Sequence, residues 1–102
     1  MRRKLSILGK SWKVRKTKQP KLNGKPCYGL FDPDKKTIYI KSGMTKRETL
    51  RVFWHEYTHA RLYESGVTLN AGGLSALAEE IICDTFADLL AYEIDTKWKR
   101  KR

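Results

Sequence analysis

The segment from Thr45 to Gly66 constrains the fold more than any other. Thr45 suits a helix N-cap and Glu48 follows three residues later, the reciprocal arrangement in which each side chain satisfies an orphan N–H of the first turn. Gly66 suits the C-terminal end, where a left-handed residue closes the last turn. Together they predict one helix from about Lys46 to about Glu64. A loop over 65–73, carrying Asn70 and Gly72-Gly73, leads to a second helix from near Ser75 to about Lys97. Glu79 and Glu80 lie in its first turn, where the helix dipole favours acids.

The first 43 residues read differently. Residues 5–8 and 12–16 are short strand candidates, the latter alternating Trp12 and Val14 with lysines. Residues 19–26 contain Pro20, Asn23-Gly24 and Pro26 and read as a loop. Residues 27–31 and 37–41 read as a hairpin around Asp32-Pro33-Asp34-Lys35-Lys36, where an Asp side chain can bond its own backbone and Pro presets φ. The expected fold class is α+β: an antiparallel or mixed sheet of three or four strands packed on two helices. It forms a single domain over 1–102, with a β half at 1–43, a helical half at 44–97 and a basic tail at 98–102. Trp12, Phe31, Tyr39, Phe53, Trp54, Phe86 and Leu89 are read as core, and Cys83 as a small buried filler.

Charge is unevenly distributed. Residues 1–51 hold 16 Lys/Arg against Asp32, Asp34 and Glu48; residues 52–96 hold only Arg61 against eight acids; residues 97–102 add five cations, for +11 overall. Such asymmetry marks a possible nucleic-acid or other anionic partner for the basic half. The plainer reading, solvated lysines on strand and loop surfaces, is preferred because dedicated basic motifs are denser. No apolar run is long enough to span a membrane, and residues 5–8 are too short for a signal-peptide core. Two cysteines are too few for a disulfide framework, so a reduced, cytoplasmic protein is expected.

The chemistry concentrates in His55-Glu56-Tyr57-Thr58-His59, in the middle of the first helix. Residues i and i+4 share a helix face one turn apart, so both imidazoles can meet one zinc ion. Glu56 is rotated about 100° from His55, beside the metal's open position, where its carboxylate can take a proton from a water acidified by the metal. A third ligand is needed. Leu62 and Ser65 stand where a longer His-rich motif would place Gly and His, and Glu64 points elsewhere. The second helix offers Glu79 and Glu80. Glu80 shares a helical stripe with Ala76, Cys83, Asp84, Ala87 and Ala91, whereas Glu79 falls in the arc of Phe86 and Leu90. Glu80 is therefore preferred, with Asp84 one turn on as acceptor for the second N–H of a ligating histidine.

His55-Glu56-x-x-His59 followed by Glu80-x-x-x-Asp84 resembles the gluzincin metallopeptidase pattern, and the short chain is similar to the minigluzincins. The run Glu80-x-x-Cys83-Asp84-x-Phe86-Ala87-x-x-Leu90 also resembles the second helix of ImmA/IrrE-type peptidases of phages and mobile elements. The resemblance spans roughly residues 27–92. It implies a small zincin-like fold and a zinc-dependent endopeptidase with one Zn2+ held by His55, His59 and Glu80. Glu56 would be general base and acid, and Asp84 would support a ligand. It also implies a substrate rim formed by Cys27, Tyr28, Gly29, Leu30 and Phe31, to which a peptide adds as an extra strand. Larger gluzincins stabilise the oxyanion with a downstream His or Tyr. No His follows His59, which leaves Tyr63, Tyr92 and Arg61 as candidates. The basic tail is a candidate for covering the cleft and holding the enzyme latent. The alternative function is a zinc-stabilised regulatory adaptor whose basic half contacts nucleic acid.

Overall fold

A computed structural model describes residues 2–66 and 76–94. Six strands precede two helices: β1 Arg2–Ile7, β2 Lys10–Thr17, β3 Lys21–Leu22, β4 Lys25–Pro26, β5 Gly29–Asp32, β6 Thr37–Lys41, α1 Lys46–Glu64 and α2 Ala76–Asp88. The chain continues from α2 as a π-helical segment, Leu89–Ile94. The expected continuation to Lys97, the expected 65–73 loop beyond Gly66 and the basic tail lie outside the described residues. The class is α+β. A four-stranded mixed sheet has the order β1-β2-β6-β5, and β3 and β4 form a separate ribbon.

Register follows the apolar alternation. β1 and β2 are antiparallel, with Leu5 opposite Trp12. β2 and β6 are parallel, with Val14 beside Ile38. β5 runs antiparallel to β6, with Phe31 opposite Ile38 and Gly29 opposite Ile40. These residues share one face, and α1 covers it. Ile7, Trp12, Ile38, Ile40 and Ala60 form the buried cluster, with Leu5, Val14, Phe31, Val52, Phe53 and Tyr57 packed around it.

Local chemistry sets the element ends. The Thr45–Glu48 capping box is present in both directions. Asp32 accepts from the backbone of Asp34 and Lys35, fixing the β5–β6 turn. Residues 19–26 are not a plain loop. Asn23 and Gly24 both adopt positive φ, +53° and +80°, the conformation of a two-residue hairpin turn, and they pair β3 with β4. That ribbon also shortens the expected rim strand. Cys27 is tied to the ribbon by its N–H to the Pro20 carbonyl and by the Gln19 amide on its own carbonyl, so the strand begins at Gly29 and Cys27 and Tyr28 precede it. Two of the residues read as core also differ. Tyr39 sits half-buried on the face of the sheet away from α1, and Phe86 is 47% exposed.

The sheet is fastened to the end of α1 by a polar junction. The fully buried Trp12 indole donates to Glu64 Oε2 at 2.7 Å, and Lys36 Nζ donates to the same oxygen at 2.7 Å. Lys36 first, then Trp12, hold the Glu64 carboxyl below the ordinary carboxylate range. A depressed folded pKa contributes stability that is complete above the unfolded value, about pH 4.3, and is lost as pH falls through the folded one. Urea unfolding of Glu64→Gln should therefore show its largest deficit at pH 7, and the gap to wild type should shrink below about pH 4. An unchanged gap at pH 3 would show that the junction contributes no charge-dependent stability.

Candidate metal centre

α1 presents the central motif towards α2 and β5. His55 and His59 lie one turn apart with ring centroids 4.9 Å apart. Glu80 reaches both from α2. Its Oε1 is 3.2 Å from His55 Nε2, and its Oε2 is 3.0 Å from His59 Nε2. One donor atom from each of His55, His59 and Glu80 fits within a 4.8 Å cluster. Two ligands bonded to one zinc at about 2.0–2.1 Å in tetrahedral geometry stand roughly 3.3 Å apart, so this donor set matches such an ion in spacing and type.

The other ring nitrogens face carboxylates too. Glu79 Oε2 is 2.6 Å from His59 Nδ1 in a buried contact. With Nε2 committed to a metal, the Nδ1–H would donate to Glu79, the usual arrangement behind a ligating histidine. Asp84 Oδ1 lies 2.9 Å from His55 Nδ1, without the alignment a hydrogen bond needs, and the buried Nδ1 has no hydrogen-bond partner. Phe31 stacks on the His59 ring at 5.4 Å and 6°, fixing its plane.

Glu79 is the residue that sequence reasoning misplaced. The helical wheel places it in the arc of Phe86 and Leu90, away from Cys83 and Ala87, but the buried stripe of α2 is Glu79, Cys83 and Ala87, while Glu80 is 54% exposed at its border. The legible signal was the i, i+4 run Glu79-Cys83-Ala87-Ala91, every member of which is buried. Burial and the surrounding acids Glu80 and Glu79 push the Cys83 thiol well above its ordinary range, so it packs as a neutral filler.

Glu56 is 8% exposed. Burial first, and the Glu80 charge as well, push its carboxyl up to about 7, against the opposing pull of His59. It opens onto a cavity of about 190 Å³ lined by Tyr28, Gly29, Arg51, Val52 and His55. Of the rim residues, Leu30 lies opposite Tyr39 on the outer side of the sheet, and Phe31 faces inward. Of the oxyanion candidates, Tyr63 and Arg61 do not line this cavity. Tyr63 packs beside Phe31 and under Lys36, Arg61 is exposed, and the Tyr92 side chain lies outside the described residues. Tyr28 and Arg51 occupy the cavity instead, and neither was marked by the motif. Arg51 is engaged by Asp84 at 3.2 Å and Asp88 at 2.9 Å.

Gly29 permits the close approach of β5 to this site. A Cβ there would collide with the Val52 Cγ1 methyl and stand 3.2 Å from Glu56 Cγ. Gly29→Ala should cost about 1–3 kcal/mol in urea unfolding, as overpacking does, and Gly29→Ala/Val52→Ala should lose less than the sum of the two single variants. Strict additivity would show that the two residues do not compete for space.

No family model matches the chain, and no curated protein or solved structure is similar to it.

Proposed function

We propose that the chain is a zinc-dependent metallopeptidase of the gluzincin type, with His55, His59 and Glu80 holding one ion and Glu56 handling the proton. The observation that carries this reading is the convergence of Glu80 on both Nε2 atoms while Glu79 and Asp84 stand at the two Nδ1 atoms. Four carboxylates, Glu56, Glu79, Glu80 and Asp84, gather around two imidazoles, and a divalent cation would offset the negative charge they bring together. The zincin-like arrangement of the resembled peptidases accords with an edge strand beside the motif helix, and β5 is such an edge.

A bound zinc ion supplies Lewis acidity, which polarises a carbonyl and acidifies a water. Glu56 supplies the proton path. Its carboxylate accepts the proton of the attacking water and returns it to the leaving amine nitrogen. Burial favours this task, because a carboxyl whose proton affinity is raised towards neutrality both accepts and donates near pH 7. The edge of β5, unpaired by any other strand among the described residues, would supply backbone groups for an extended peptide, and Gly29 keeps that edge close to Glu56.

Metal analysis and peptide-library cleavage test the assignment. Purified protein should carry one equivalent of zinc, and His59→Ala should carry none. Zinc at about a hundredfold over its Kd should stabilise the wild type by about 2.7 kcal/mol. Glu56→Gln should keep the metal and lose turnover. Zinc binding without cleavage of any library peptide would favour the adaptor instead.

Glu79→Gln should weaken zinc about 10–100-fold in a competitive chelator titration, the usual cost of removing a carboxylate behind a ligating histidine. An unchanged affinity would reduce the Glu79–His59 contact to packing.

A further inference from the structure

The sheet has a second face, which α1 does not cover. Lys4, Ser6, Ser11, Lys13 and Arg15 are exposed on β1 and β2. Ladder register carries the same face across β6 through Thr37, Tyr39 and Lys41 and onto β5 at Leu30 and Asp32. Three features of this face go beyond scattered solvated lysines. Lys4 stands directly opposite Lys13, a like-charge cross-strand pair that destabilises a sheet. Among the described residues, no carboxylate lies within ion-pair distance of Lys4, Lys13, Arg15 or Lys41, the last of which sets its ammonium 5.4 Å from the centre of the exposed Tyr28 ring. The face's own acid, Asp32, is committed to its turn, accepting from Asp34 and Lys35. Finally, the half-exposed Tyr39 sits between strand neighbours Arg15 and Leu30, with Lys41 two residues along the same strand.

Charge alone attracts any polyanion. A β-surface with an aromatic ring on a central strand and cations around it matches one class in particular. Bases stack on a ring set in a sheet while Lys and Arg track the backbone phosphates. A duplex hides its base faces and gains nothing from Tyr39. We propose that this outer sheet face binds single-stranded nucleic acid, with Tyr39 as the stacking platform and Lys4, Lys13, Arg15 and Lys41 as phosphate contacts. The surface lies on the opposite side of the sheet from α1 and uses none of His55, Glu56, His59, Glu79 or Glu80.

Fluorescence anisotropy of a labelled twelve-residue oligothymidine against the full chain tests this. Four phosphate contacts predict a log–log salt slope of about −3. Lys13→Glu and Arg15→Glu should each weaken binding at least tenfold. Arg61→Glu, with the same change in net charge on exposed α1, should change it less than twofold. Tyr39→Leu should lose roughly tenfold and Tyr39→Phe should bind as wild type, because only the first removes the stacking ring. Glu56→Gln should bind normally, so failure of the peptidase assignment leaves this result standing. Equal losses from Lys13→Glu and Arg61→Glu would overturn the proposal, as would tighter binding of a duplex of equal length. Binding to phosphatidylglycerol vesicles but not to the oligonucleotide would assign the face to a membrane surface and overturn it as well.

Discussion

Repulsion among carboxylates is the constraint around which the helical half is arranged. Glu56 and Glu79 are buried, and Glu80 and Asp84 close on the same two imidazoles from the solvent side. Burying like charges together is costly unless something of opposite sign joins them. A divalent ion at the proposed Nε2 site would convert the arrangement from a penalty into a clamp, since each carboxylate would then face either the ion or an imidazole polarised by it.

The contacts between α1 and α2 lead to the same conclusion. The buried stripe of α2 consists mainly of Cys83, Ala87 and, just beyond it, Ala91, small side chains that allow close approach but remove little apolar area from water. Of the larger aliphatics of α2, Leu77 and Ile81 are exposed and Ile82 is half-buried. Arg51 bridges to Asp84 and Asp88, but both carboxylates are more than half exposed and such pairs contribute at most about 1 kcal/mol. The histidine–carboxylate cluster adds to these contacts, and an ion bonded to both helices, as proposed, would add its binding free energy to their association.

Much of this organisation is legible in the residues. Thr45 and Glu48 mark the start of α1, and Asp32 marks the turn between β5 and β6, because both act through bonds to backbone within three residues. The His55–His59 spacing is local in the same sense. The misses are non-local or depend on rotation. Asn23-Gly24 carries a hairpin signal, yet the strands it joins are two residues each, too short for alternation to register. The outer placement of Tyr39 requires knowing that α1 covers only one side of the sheet. Glu79 and Glu80 are neighbours separated by 100° on a helix with apolar residues all round, so the pattern alone does not tell which edge turns inward.

The small residue at position 29 links the two halves. β5 is an edge strand, and an ordinary side chain at its first residue would hold the edge away from α1 by the width of a methyl group or more. With Gly29 opposite Ile40, the backbone passes directly over Val52 and the Glu56 methylenes. An extended ligand pairing with that edge is thereby brought beside the Glu56 carboxylate. A glycine placed for flexibility would instead show positive φ and open space around its missing Cβ, as Gly9, Gly24, Gly43 and Gly66 do. Gly29 shows neither, so what selects it is clearance, and the clearance is over the residue proposed to move the proton.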